Sequence, residues 1–266
     1  MILPVFAFLT ALAIGIVAAV VGLGGGFLYV PTLTLIFGLD QRMAVGTSLA
    51  VTVCASAAAA FCCARQKKIL YAAAGCLIIP GMIGAALGVA LTAYIDTRIL
   101  VILFVAVLLL IAIQMLRPAC RLVGIISRGP ALEVYAATES DKSRPVSIPY
   151  AHLILWGTAG GLVSGTTGIS GGVLFVPALV VAGIPVHYAI ATSLFAIVLT
   201  SLAGAGTQAA LGNVSLPFLA VYGTGAAIGA YAGASIAPKI RADRIRSFFG
   251  IMLLVIAVLM IIHDIF

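Results

Sequence analysis

The chain has 266 residues, of which 64% are hydrophobic and only 8% are Asp, Glu, Lys or Arg, and its mean hydropathy is +1.29. Soluble domains are about half apolar and about a quarter charged, so the composition excludes an ordinary soluble protein and predicts an integral protein of the lipid bilayer. The net charge of +7 indicates no nucleic-acid partner, because the basic residues lie beside apolar segments, as topology signals do.

Eight apolar segments are long enough to cross a bilayer, which takes about 20 residues. They are residues 3–22, 43–64, 71–94, 99–116, 150–168, 189–211, 216–237 and 247–263. Two further apolar stretches, 27–38 and 173–184, have 12 residues each and follow glycine-rich segments. They are too short to cross and are predicted to be half-helices. The sequence therefore predicts an all-α polytopic membrane protein.

The glycine-rich segments, residues 22–26 and 168–172, are called the first and the second break. Each opens one copy of a repeat, GLGGGFLYVP and GISGGVLFVP, and the match continues 145 residues apart at a shared Thr-Ser pair. The chain is thus predicted to consist of two transmembrane repeats, 1–116 and 150–266, joined by a linker, 117–149. Each repeat would have a hairpin of one broken helix and its half-helix, followed by three transmembrane helices.

The positions of Lys and Arg predict how the repeats are oriented. If each hairpin returns to its starting face, 12 basic residues lie on one face and only Arg42 and Arg98 lie on the other. If each hairpin instead ends across the membrane, the split is 8 to 6. Cytoplasmic loops carry the excess of Lys and Arg, which favours the first arrangement. It predicts inverted repeats, a cytoplasmic linker, and both termini on the outer face of the cell membrane.

The breaks are predicted to bind an anion. A helix that begins after a break has unpaired N–H groups and the positive end of its dipole there, and it can bind an anion without a charged side chain. In transporters built from inverted repeats, discontinuous helices form the substrate site near the membrane midplane. The candidate substrate-binding residues are those of the breaks, the recurring hydroxyls and one amide: Gly24, Gly25, Gly26, Ser170, Gly171, Gly172, Thr47, Ser48, Thr192, Ser193 and Gln208.

These polar side chains also have simpler interpretations. Each hydroxyl can pack in the interior or bond to the carbonyl one turn back in its own helix. Gln208 can be explained by hydrogen bonding between helices. Ser170 occupies the position of Gly24 and makes the two breaks unequal.

The rest of the sequence has no pattern typical of an enzyme or a metal site. The sequence has no acid pair, nucleophile with a base, zinc motif or phosphate loop, so we expect no enzyme, catalytic residue, metal site or cofactor. The adjacent Cys62 and Cys63 leave a redox role open. Gly225, Gly229 and Gly233, four residues apart, predict close helix packing within the chain or between the copies of a homodimer.

The pair VGLGGGFLYVP and TGISGGVLFVP, each followed by A-x-x-TS-L, resembles the TauE/SafE family of membrane permeases over nearly the whole chain. The resemblance implies export of small sulfur-containing anions such as sulfite, sulfoacetate or other organosulfonates. It places their site at the break and hydroxyl residues named above. Two alternatives stay open: a passive channel for small neutral solutes, and a membrane redox or sulfur-relay protein that uses Cys62 and Cys63.

Overall fold

The computed structural model describes residues 2–92, 94–96, 98–100, 102–103, 105–107, 109, 131–136, 144–239, 254–255 and 258. The apolar runs form helices because only internal hydrogen bonds can satisfy a backbone surrounded by lipid. The elements are α1 (Ile2–Val21), α2 (Gly26–Pro31) with a π-helical turn (Thr32–Ile36), α3 (Gln41–Arg65), α4 (Tyr71–Thr92), β1 (Ala131–Ala136), β2 (Arg144–Pro149), α5 (Tyr150–Thr167), α6 (Gly172–Val181), α7 (Val186–Ala210), α8 (Leu216–Ile236) and a 3-10 turn (Ala237–Lys239).

Five of the described helices, α1, α3, α4, α7 and α8, are long and apolar enough to cross a membrane. The prediction of a multi-pass helical membrane protein is confirmed to this extent. Helix α5, with 18 residues, lies at the predicted span 150–168, and α2 and α6 lie at the predicted half-helices. The predicted spans 99–116 and 247–263 fall largely outside the described residues.

A two-stranded antiparallel hairpin lies in the linker, where the sequence analysis predicts no strand. Leu132 pairs with Ile148, and Val134 pairs with Val146. The signal was a short alternation of apolar residues in both segments, which is typical of a strand with one buried face. Ile148 is fully buried, so one face of the hairpin packs against the rest of the chain.

Contacts between helices define their relative directions. Helices α1 and α8 run parallel, because Gly225 packs against Phe8 and Gly233 packs against Ile16. Helix α3 runs parallel to them, because its first turns bond to the segment before α8 and Gln66 Nε2 donates to the carbonyl of Ala234, near the end of α8. Helices α1, α3 and α8 therefore all begin at one end of the bundle.

The other three long helices run in the opposite direction. The N–H of Leu70, just before α4, donates to Thr192 near the start of α7, so α4 and α7 begin at the same end. Gly88 of α4 packs against Leu162 of α5, as Gly84 packs against Thr158 one turn earlier, so α5 is parallel to α4. Among the long helices that the structure describes, α5, α7 and α8 thus run opposite to α1, α3 and α4, respectively.

Each half-helix turns back toward the end of the bundle from which its repeat started. The rings of Phe6, near the start of α1, and Phe37, just after the π-helical turn, have centroids 6.3 Å apart. In the second repeat, Nε2 of His152, near the start of α5, lies 3.1 Å from the carbonyl oxygen of Ala178 in α6. The first helix and the half-helix of each repeat therefore form a hairpin.

Glycines let the helices of the two repeats approach closely. Gly225, Gly229 and Gly233 of α8 contact the α1 backbone directly. Gly84 and Gly88 of α4 contact α5 in the same way. Small residues at four-residue spacing allow such backbone contact between membrane helices. The sequence left open whether Gly225, Gly229 and Gly233 pack within the chain or between copies. In the structure they pack within the chain.

Candidate functional site

The two breaks lie against each other in the interior of the bundle. Gly26 packs on the carbonyl of Gly168, and Gly172 packs on the carbonyl of Gly22. The Ser170 hydroxyl donates to the carbonyl of Leu23. All residues of 22–26 and 168–172 are buried. The contact is reciprocal, and a side chain at Gly26 or Gly172 would push the breaks apart. We call this contact the crossing.

Serines from the following long helices support the crossing. The Ser48 hydroxyl lies 2.9 Å from the carbonyl oxygen of Val45 and 3.2 Å from that of Gly168. The Ser193 hydroxyl donates to the carbonyl of Gly22 at 3.2 Å. Each serine thus satisfies a carbonyl that the break in the other repeat leaves without a helical partner. The structure brings both predicted serines to the crossing.

The predicted threonines, Thr47 and Thr192, bond to short connections between helices. Thr47 accepts a hydrogen bond from the N–H of Ser215 at 3.0 Å, and Thr192 accepts one from the N–H of Leu70 at 3.1 Å. Both N–H groups belong to short connections that precede a long helix. These hydroxyls hold the connections of one repeat against a helix of the other, and a substrate contact for them stays a prediction.

Gln208 is also engaged with a neighbouring side chain. Its Oε1 accepts a hydrogen bond of 2.8 Å from Nδ2 of Asn213, and the residue is only 1% exposed. Its Cβ lies close to Gly46, at the start of α3. The structure therefore places Gln208 in a bonded pair near one end of the bundle.

The backbone at the crossing has unused hydrogen-bond donors. Within the described part of the chain, the N–H groups of residues 24–26 and 170–172 donate no hydrogen bond. Beyond these groups, the amide of Leu28 donates to the carbonyl of Gly25, and that of Val173 donates to the carbonyl of Ser170. A buried N–H without an acceptor costs about 1–3 kcal/mol. Six such groups at one place favour a ligand that accepts hydrogen bonds there.

Two hydroxyls near the crossing were missed by the sequence analysis. Oη of Tyr29 and Oγ1 of Thr52 are buried and have no hydrogen-bond partner among the described residues. Aligning the repeats position by position would have found them. Their counterparts in the second repeat are Phe175 and Ile197, so each hydroxyl occurs in one repeat only.

A small cleft with a volume of about 10 Å³ lies at the end of the bundle where α3 ends. Cys63, Lys68, His187 and Ile190 are among its lining residues. Ile190 also packs against Gly22, so one lining residue of the cleft contacts the first break. A cationic side chain at its wall favours the approach of an anion.

The predicted cysteine pair lies beside this cleft. Cys62 and Cys63 are buried free thiols, and Nε2 of Gln66 lies 3.4 Å from Sγ of Cys62. The described residues contain no cluster of three or more His, Cys, Asp or Glu that could hold a metal ion. A redox role for the pair stays a prediction.

The chain is similar to a family of sulfite exporters and to probable membrane transporters. The family described as sulfite exporter TauE/SafE matches residues 7–260. The chain is 26% identical over 263 residues to the probable membrane transporter protein YunE of Bacillus subtilis, covering 95% of each chain. It is 31% identical over 258 residues to a probable membrane transporter protein of Methanocaldococcus jannaschii, covering 90% of each. No solved structure matches the chain at a comparable level of significance.

Proposed function

Since the chain belongs to the sulfite exporter TauE/SafE family, which confirms the resemblance of its glycine motifs, we propose that it is a secondary transporter of small sulfur-containing anions. Sulfite, sulfoacetate and other organosulfonates are the proposed substrates, and export from the cytoplasm is the proposed direction. The protein would bind and release its substrate without catalysis. Its proposed partners are this anion and the lipid bilayer.

The six unpaired N–H groups at the crossing are the observation that carries the proposal. They come from two chain segments whose backbones are in contact at Gly26 and Gly172. A compact oxyanion accepts several hydrogen bonds at once, and a helix start favours negative charge. The residues 22–26 and 168–172 contain no charged side chain, so nothing there would repel an anion or attract a cation.

Inverted repeats and alternating access are the proposed mechanism. Two observations support them: counterpart helices run in opposite directions, and each hairpin turns back toward its starting end. With the excess of Lys and Arg on the cytoplasmic side, the linker is cytoplasmic, both termini are outside, and the cleft beside Lys68 faces the cytoplasm. Single cysteines replacing Lys67 and Lys239 should label from the same face. Labelling from opposite faces would exclude inverted repeats.

Transport in proteoliposomes tests the function. The unmodified protein is expected to take up labelled sulfite or sulfoacetate saturably, with competition from other sulfur oxyanions. Flux that does not saturate, and that admits neutral solutes equally, would instead support the passive channel. No flux of any sulfur anion in either direction would contradict the proposal.

A glycine pair tests the location of the site. Gly171 has φ −58°, which alanine also adopts, but the added methyl would lie 2.7 Å from Cζ of Phe175, at the crossing. A methyl at Gly206, within α7, meets nothing within 4 Å. Gly171→Ala is expected to lower uptake by about tenfold or more, since losing one hydrogen bond to a charged ligand costs about 1.5–3 kcal/mol. Gly206→Ala should transport normally, and equal uptake by both would move the site elsewhere.

The proposed homodimer would need another surface than the one predicted for it. Gly225, Gly229 and Gly233 pack against α1 of the same chain. Any contact between copies would therefore use a different face of the bundle.

A further inference from the structure

Two hydroxyls of the first repeat are buried without a partner, although the surrounding helices have few polar groups. Tyr29 and Thr52 are both 0% exposed, and neither Oη of Tyr29 nor Oγ1 of Thr52 makes a hydrogen bond among the described residues. The large majority of buried side-chain polar atoms in proteins are paired, and an exception calls for a specific partner. Among the described residues the second repeat also has unpaired buried hydroxyls, those of Ser164 and Ser201. Tyr29 is related to the crossing by its packing, and Thr52 by its position in α3.

Tyr29 covers the first break. A methyl group on Gly25 would lie 2.6 Å from Cε2 and 2.9 Å from Cζ of Tyr29, and Cζ carries the hydroxyl. The phenol therefore lies over the start of its own helix, as long side chains in helices do. The neighbouring Tyr222 is different, because its hydroxyl is paired with Thr10 at 3.2 Å. Tyr29 thus has an unpaired hydroxyl on a ring that packs against Gly25 of the break.

Thr52 reaches the crossing from α3. It lies one helical turn beyond Ser48, so the two side chains share a face, and the Ser48 hydroxyl lies 3.2 Å from the carbonyl of Gly168. In α7 the same step leads from Ser193 to Ile197. A methyl on Gly24 would lie 3.1 Å from the Ile197 side chain. The repeat therefore places Thr52 and Ile197 on opposite sides of the crossing.

We infer that Tyr29 and Thr52 are substrate-binding residues whose hydroxyls donate hydrogen bonds to the transported oxyanion. The inference rests on the proposed function and deepens it. Backbone amides from both breaks would bind the anion from two sides, and Tyr29 and Thr52 would add side-chain donors from the first repeat. Phe175 and Ile197, their counterparts, offer no donor.

Isosteric removal of each hydroxyl tests the inference. Tyr29→Phe and Thr52→Val are purified in detergent, and binding of sulfite and of sulfoacetate is measured by calorimetry, alongside thermal unfolding without ligand. Each variant is expected to bind about tenfold more weakly. Its ligand-free melting temperature should stay the same or rise, because the substitution removes a buried group that has no partner.

Tyr222→Phe and Thr200→Val are the matched controls. Their hydroxyls are already paired, with Thr10 and with the carbonyl of Ala196. Both controls should keep the affinity of the unmodified protein, and Tyr222→Phe should melt at a lower temperature because it removes the hydrogen bond between the buried phenol and Thr10. Unchanged affinity with a lower melting temperature is the result expected for a hydroxyl that only stabilises the fold.

Three results would overturn the inference, and they are distinguishable. Unchanged affinity in both Tyr29→Phe and Thr52→Val would mean that the hydroxyls bind a buried water only. A lower melting temperature of the ligand-free variants would reveal a structural role. If the unmodified protein binds neither sulfite nor sulfoacetate, the proposed function fails and the inference fails with it.

Discussion

The two breaks descend from one sequence pattern but have different backbones. In the first break Gly22, Gly24 and Gly25 all have positive φ, between 75° and 94°. In the second break only Gly168 does, and Gly171, the counterpart of Gly25, has φ −58°. Left-handed backbone favours glycine, so the second break can accept Ser170 where the first requires Gly24. One break uses backbone freedom, and the other uses a side-chain hydrogen bond to its partner.

The largest expected effect contrasts Gly25 with Gly171. Gly25→Ala forces an alanine to φ +94°, which costs about 1–2 kcal/mol, and its methyl also meets the ring of Tyr29. Gly171→Ala carries no such backbone cost. Thermal unfolding in detergent should therefore show a clearly larger loss for Gly25→Ala. Equal losses would mean that the two backbones do not differ in this way.

A second contrast exchanges the residue that distinguishes the breaks. Ser170→Ala removes the donor to the buried carbonyl of Leu23, and the expected loss in the free energy of unfolding is about 1 kcal/mol. Gly24→Ser is expected to cost more, because φ is +75° there and its Cβ would lie 2.7 Å from Oγ of Ser170. If Gly24→Ser were tolerated as well as Ser170→Ala, the first break would not need glycine.

The serines should behave alike in spite of the different backbones. The hydroxyls of Ser48 and Ser193 each lie 3.2 Å from a carbonyl oxygen in the other repeat, and that of Ser48 also lies 2.9 Å from the carbonyl oxygen of Val45. Ser48→Ala and Ser193→Ala should each lower the free energy of unfolding by about 1 kcal/mol. Thr158→Val, at an exposed hydroxyl bonded only to its own helix, is the control and should change little. A marked inequality between the two serines would show that one carbonyl has another donor.

The smallest effect is expected at the cysteine pair. Cys62 and Cys63 align with Thr207 and Gln208 of the second repeat, so the pair is another difference between the halves. Replacing both cysteines with alanine should leave uptake of sulfite in proteoliposomes unchanged, because neither lies at the crossing. Loss of activity in a folded double variant would instead favour the redox or sulfur-relay alternative.

The helices and the two breaks could be predicted because their signals are local. An uninterrupted apolar run in a membrane chain becomes a helix, and α3, predicted as 43–64, is found at Gln41–Arg65. The sequence also contained the matching glycines from which the meeting of the breaks was expected. These features depend on residue type and spacing, which a single sequence displays directly.

The partners of the polar groups could not be predicted, because they depend on helix direction and register. Thr47 and Ser48 are adjacent in sequence, yet one hydroxyl accepts from Ser215 and the other donates to Gly168. The positive φ of Gly25 and the ordinary φ of Gly171 arise from the same residue type. A repeat pattern indicates which positions are equivalent, and only the fold shows what surrounds them.

The pairing of α1 with α8 and of α4 with α5 has a consequence for how the molecule is divided. Each tightly packed pair takes one helix from each repeat, and the bonds from Thr47 to Ser215 and from Thr192 to Leu70 also join the repeats. Among the described helices, the most extensive contacts therefore join the two halves of the chain. Expressed as separate polypeptides, the halves would have to assemble together to fold, and the moving parts of the carrier would be mixed pairs of helices.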